Sequence, residues 1–249
     1  MRKGFAIALI FMTASAALAQ STSGSQAAPA KPSTAARPAA TASSRPTALI
    51  DTTAGKMTCT LFPDKAPVGV ANFIGLASGT KDWKNPVTGA MKHGVPLYDG
   101  TIFHRVIPQF MIQGGDPAGT GSGADPVTPF KNEISSDLLF DQPGRLAYAN
   151  TGQAVSNSSQ FFITEIAFTG QQAKMLNGNY TIFGQCDEAT VTLVKQIARA
   201  GTDANDRPYR PIKINHITIL HGGVTGKATG TVIKKPAAPT TPKAPASSN

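Results

Sequence analysis

Between residues 48 and 221 the apolar positions come in short runs that alternate with polar ones or stop at turn residues. Residues 48–53 and 56–62 read as strands parted at Gly55. Pro67 then opens a helix that runs to Ser78, with Val70, Phe73, Ile74 and Ala77 on one face and Gly79 at its end. Residues 81–96 are polar and irregular and read as a loop. Asp99-Gly100 turns the chain into a strand over 101–107, and further short strands are predicted at 110–113, 145–149, 160–164 and 180–185. A second helix spans 189–200, placing Val191, Val194, Ile197 and Ala198 inward, with Gly201 as its stop. A last strand covers 214–220. Many short strands and only two helices predict a mostly β fold, a closed antiparallel barrel whose mouths the helices cover.

The two ends of the chain have a different texture. Residues 1–46 and 223–249 are rich in Ala, Pro, Ser, Thr, Gly and Lys. Arg2 and Lys3, the apolar stretch 5–17 and Ala17-Leu18-Ala19 make the three parts of a secretory signal, cleaved before Gln20. This predicts a signal peptide at 1–19, a disordered linker at 20–46, a folded domain at 47–222 and a disordered basic tail at 223–249. Export to a periplasm or full secretion follows, with no integral membrane segment in the mature chain.

Charge narrows the partners. The formal net charge is +9, yet no acidic residue precedes Asp51 or follows Asp206, and nine basic residues lie in the two ends. The middle is therefore neutral, without the basic face that a nucleic-acid reader needs on its folded domain. Two cysteines, Cys59 and Cys186, leave two readings open: one disulfide, permitted by the exported context, or two buried thiols. A bond between them would contribute roughly 4–5 kcal/mol in the chain-entropy account.

Three stretches carry candidate chemistry. In Phe103-His104-Arg105 through Gly114-Gly115-Asp116, a strand over 101–107 would put Phe103 and Arg105 on one face. Arg105 would then stand among Phe110 and Met111 with the Gln113 amide nearby, an expensive place for a charge unless it is paired, turned to water or used. The second stretch is Leu146-Ala147-Tyr148-Ala149-Asn150 with Ser158-Ser159-Gln160-Phe161-Phe162-Ile163. The third is Met175-Leu176-Asn177-Gly178-Asn179-Tyr180-Thr181-Ile182-Phe183-Gly184. The glycines from Gly114 to Gly123 lack the following helix of a dinucleotide loop, and Gly121-Ser122-Gly123 lacks the setting of a serine nucleophile. His216 and His221 have no carboxylate beside them in sequence, so neither a metal nor another cofactor is predicted.

Taken in order, the three stretches resemble the cyclophilin family. The first matches its Phe-His-Arg … Phe-Met-x-Gln-Gly-Gly-Asp signature, the second its Ala-Asn … Ser-Gln-Phe-Phe-Ile segment, and the third its Leu-x-Gly … Val-Phe-Gly segment. The resemblance covers almost all of the middle region. It implies an eight-stranded antiparallel barrel capped by two helices and a peptidyl-prolyl cis/trans isomerase that acts on proline-containing unfolded or extended polypeptides. It implies Arg105 as the catalytic residue and Phe110, Met111, Phe162 and Leu176 as the pocket for the proline ring. Gln113 and the Asn150 backbone would hydrogen-bond the peptide, Ala149 would touch the residue before the proline, and Gln160, Met175 and Tyr180 complete the implied substrate site. Met175 and Tyr180 stand where eukaryotic members commonly have Trp and His, so weak cyclosporin binding is expected. The segment 151–158 is one residue longer than the common form. The domain is expected to be monomeric. A second reading uses the same groove, a proline-peptide-binding chaperone module with little turnover; a third, weaker one is a barrel enclosing a small apolar ligand, whose interior Leu61, Phe62, Ile163 and Phe183 can fill themselves.

Overall fold

The structure is a computed structural model that describes residues 45–221. The signal segment, nearly all of the linker and the basic tail lie outside the described residues.

β1 (Thr47–Thr52) and β2 (Gly55–Leu61) form the opening hairpin. Thr52 shapes its turn: the side-chain oxygen accepts from the backbone N–H groups of Ala54 and Gly55. α1 (Pro67–Ser78) starts at the proline and ends at Gly79, whose φ of 72° is a left-handed cap open to glycine at little cost. The predicted loop that follows contains a two-rung hairpin, β3 (Trp83–Lys84) and β4 (Met91–Lys92). Then come β5 (Arg105–Ile107), β6 (Met111–Gly114), β7 (Phe130–Lys131), β8 (Arg145–Tyr148), β9 (Val155–Asn157) and β10 (Phe161–Thr164). The chain continues through α2 (Gly170–Leu176), β11 (Ile182–Cys186), α3 (Glu188–Ala198) and β12 (Ile214–Leu220). Asp187 caps α3 by accepting from the Thr190 N–H at 2.8 Å.

Eight strands make one curled antiparallel sheet in the order β12-β1-β2-β11-β8-β10-β6-β5. The expected closed barrel is corrected to a curled half-barrel, because β12 and β5 remain edges and do not pair as strands. Among the described residues the two edges meet just ahead of the strands, at the isolated bridge of Ile102 with Lys213 and at backbone hydrogen bonds such as Ile214 N–H to the Thr101 carbonyl at 2.8 Å. The strand predicted over 101–107 is shorter: only Arg105–Ile107 pair with β6, and Ile102 before them makes isolated bridges to Asp116 and Lys213. Phe103 falls outside β5 and does not share a strand face with Arg105: Phe103 is buried and Arg105 exposed. Among the described residues three helices stand where two were expected. α2 has only Leu176 buried, so its sequence carries no amphipathic stripe.

The main core fills the concave side of the sheet. Leu146 and Tyr148 of β8, Phe161 and Ile163 of β10, Ile112 of β6 and Phe183 of β11 all point there. α1 covers it with Val70, Phe73, Leu76 and Ala77, Leu76 lying deeper than the expected Ile74. α3 contributes Val194, Ile197 and Ala198. Phe73 is central, its ring 5.1 Å from Tyr98, 5.6 Å from Phe161 and 5.1 Å from Phe183. Cys59 and Cys186 face each other across β2 and β11 and are joined as a disulfide.

Candidate active site

The intervening residues of the same strands point the other way. Met111 of β6, Ala147 of β8, Phe162 of β10 and Ile182 of β11 form a second apolar cluster with Phe140, Phe168 and Leu176. Period-two alternation thus gives each strand two buried faces, one for the core and one for this cluster. Phe140 stacks on Phe162 at 5.8 Å, and Tyr180 stands edge-on to Phe162 at 5.6 Å.

The second cluster is not sealed. Phe110, Met111, Phe162, Leu176 and Tyr180 leave a cavity of about 190 Å³ that Arg105, Gln113, Ala149 and Asn150 close on the polar side. The volume suits one small ring rather than a drug-sized ligand. The structure thus brings nine of the predicted site residues around one opening. Gln160 does not line it. Its Oε1 accepts from Gln113 Nε2 at 3.0 Å and its own Nε2 donates to the Gly121 carbonyl at 3.3 Å, which fixes the Gln113 amide. Met175 is corrected more sharply: it is 64% exposed and lies outside the lining, because the short helix α2 turns Leu176 inward and its neighbour out. The Asn150 side chain donates to the Asn179 carbonyl at 2.8 Å, away from the cavity.

Two acidic residues that the sequence did not single out support the site. Glu165, almost fully buried, accepts from the Gln109 N–H at 2.8 Å and from the Arg199 guanidinium at 2.8 Å. It thereby holds the tight turn between β5 and β6, where Gln109 has a φ of 58°. A carboxylate inside the apolar run 161–168 was the available signal. Asp206 accepts from Arg105 Nε at 3.4 Å, and nothing local in the sequence marks it, since 101 positions separate the two. His104 sits beneath the same region with neither ring nitrogen partnered, and burial lowers its pKa from the ordinary value of 6.5.

The family described as cyclophilin type peptidyl-prolyl cis-trans isomerase/CLD matches residues 47–219. The chain is 46% identical over 174 residues to peptidyl-prolyl cis-trans isomerase A of Mycobacterium tuberculosis, covering 70% of this chain and 91% of that protein. It is 42% identical over 174 residues to peptidyl-prolyl cis-trans isomerase B of Streptomyces anulatus, covering 69% and 95%. A crystal structure of a Cryptosporidium parvum cyclophilin type peptidyl-prolyl cis-trans isomerase superposes with a TM-score of 0.59 at 30% identity, covering 72% of this chain and 99% of that one. The same protein has been crystallised in the presence of the dipeptide Ala-Pro, where the TM-score is also 0.59.

Proposed function

The chain belongs to the cyclophilin-type peptidyl-prolyl cis-trans isomerase family, and from that premise we propose how its own residues carry out the reaction and on which polypeptides. The observation that carries the reading is a guanidinium, that of Arg105, on the rim of an apolar cavity the size of a proline ring.

An amide resists rotation because the nitrogen lone pair is shared with the carbonyl, a barrier of about 18–20 kcal/mol. Unaided X-Pro bonds need tens to hundreds of seconds to cross it. In the twisted state the prolyl nitrogen becomes pyramidal and recovers its lone pair. A donor aimed at that nitrogen helps only then, because the planar amide offers it nothing to accept with. Arg105 suits the task, since guanidinium stays charged and carries a fixed fork of N–H donors. Phe110, Met111, Phe162, Leu176 and Tyr180 hold the ring while the preceding carbonyl swings. Gln113 and the Asn150 backbone hold the chain on either side, and Ala149 leaves room for the residue before the proline.

The substrates in this reading are unfolded or extended exported chains, met outside the cytoplasm after cleavage ahead of Gln20. N-terminal sequencing of the mature chain from that compartment gives Gln20 first if the reading holds. With Met175 out at the surface instead of an indole in the lining, cyclosporin binds weakly; nanomolar inhibition of the purified chain overturns that part.

The direct test is the cis-to-trans conversion of a short X-Pro peptide. Arg105→Ala folds as the wild type does and loses roughly a hundredfold or more in kcat/KM, the scale of one preorganised donor. Peptide binding without acceleration by the wild type would favour a chaperone module, and near-normal turnover by the variant would discard the role given to Arg105.

A further inference from the structure

Arg105 has open space on two sides. It lines the proline cavity, and it also lines a polar cavity of about 410 Å³ that it shares with His104, Gln113, Asp203 and Arg207. Its terminal nitrogens have no protein partner among the described residues, and its only side-chain bond there is Nε to Asp206 Oδ2. A long side chain with two open directions divides its time between them unless something holds it. Donation to the prolyl nitrogen requires one of the two.

The turn that carries Asp206 is built to stay in place. Asp203 Oδ1 accepts from the N–H groups of Asn205 at 2.8 Å and Arg207 at 3.0 Å. The Asp203 N–H donates to the Arg207 carbonyl and the Asp206 N–H to the Asp203 carbonyl, while Thr202 and Pro208 bridge at its base. The Arg207 guanidinium ties the turn to the Gly119 carbonyl. The Asp206 carbonyl accepts from the N–H of Val106, the residue next to Arg105, at 2.9 Å. Asp206 therefore grips β5 through backbone and side chain together.

Backbone strain points to the same place. Among the described residues only two that are not glycine hold a left-handed backbone, Gln109 at φ 58° and Asp206 at φ 61°. Both border Arg105: one in the turn after its strand, the other on its guanidinium. Such strain persists where surrounding structure enforces it, and it collects at functional sites.

We infer that Asp206 is a positioning residue, which holds the Nε of Arg105 so that the terminal nitrogens face the proline cavity and not the polar cavity behind it. This rests on the isomerase reading of Arg105. Asp206→Gly tests it, because glycine accepts the left-handed backbone and removes only the carboxylate. In wild-type background it lowers kcat by roughly tenfold, the cost of a catalytic group held off its geometry, and leaves KM within about twofold. Asp206→Asn, which keeps an acceptor oxygen, recovers part of the loss. In Arg105→Ala background, Asp206→Gly changes nothing further. An unchanged kcat, or an equal loss in the Arg105→Ala background, overturns the inference. A second readout does not depend on turnover: the ¹H–¹⁵N resonance of Arg105 Nε shifts and broadens in Asp206→Gly. If the wild type isomerises no peptide, the reading of Arg105 fails and this resonance alone judges the tether, an unmoved signal refuting it.

Discussion

Two apolar clusters are built from alternate residues of the same four strands, and they end differently. Phe161 and Phe162 are neighbours in β10, yet the first lies in the main core among Phe73, Tyr98 and Phe103, and the second among Phe140, Tyr180 and the cavity. α1 and α3 seal the main core. The second cluster has only the short helix α2 and loops over it, and it stays open at the edge where Arg105 stands. A sealed apolar cluster contributes to stability through every contact it makes, whereas an unfilled one keeps surface for another molecule.

The most direct way to break this comparison is to truncate each neighbour in turn. Phe161→Ala should destabilise by about 3–5 kcal/mol, because the surrounding core cannot close the hole. Protein that remains folded should turn over substrate nearly as before. Phe162→Ala should cost clearly less, about 2 kcal/mol, since its cavity already admits solvent, but should lower kcat/KM at least roughly tenfold. Denaturant unfolding and peptide kinetics on both variants decide it; matching profiles would mean the clusters are one core.

The disulfide sharpens the same contrast. It ties β2 to β11 on the sealed side across 127 positions of chain. Replacing both cysteines by Ala should lower stability by about 4–5 kcal/mol through the larger freedom of the unfolded chain, with kcat/KM unmoved. A loss of activity in protein that is still folded would show that the open cluster depends on the bond.

A smaller effect comes from His104, between Phe103 of the sealed core and Arg105 of the open site. Burial is the largest cause of its lowered pKa, with the Arg207 and Arg105 charges adding to it and Asp116 opposing. A base that resists protonation when folded takes up its proton on unfolding below its ordinary pKa of 6.5. Its contribution is therefore complete above that pH and is lost as the pH falls toward the lowered value. Unfolding free energy should decline as the pH falls below about 6.5, by at most about 1.4 kcal/mol per pH unit from this group. His104→Gln should flatten that part of the profile, and equal slopes would exclude the residue as the cause.

Much of this was legible along the chain. Pro67 and Gly79 bracket α1 because one fixes φ and the other frees it, and Val191, Val194, Ile197 and Ala198 mark the inward stripe of α3. α2 was not legible, because two turns with one buried residue leave no period to read. The resemblance places Met175 in the site, where eukaryotic members commonly have Trp, but on a helix adjacent residues face different ways, and α2 turns Leu176 in and Met175 out.

By itself the sequence determined the residue types and their order: the strand periods, the aromatic and amide residues that later line the cavity, the arginine among them, and the family those stretches resemble. Tertiary structure alone decided which face of each strand closes into a core and which stays open, that the sheet curls without pairing its edges, and that Glu165 and Asp206 reach the turn and the arginine of the site. The reason is distance along the chain. Periodicity reports a residue's neighbours within a turn or a strand, while a contact across 101 positions exists only once the path of the whole chain is set.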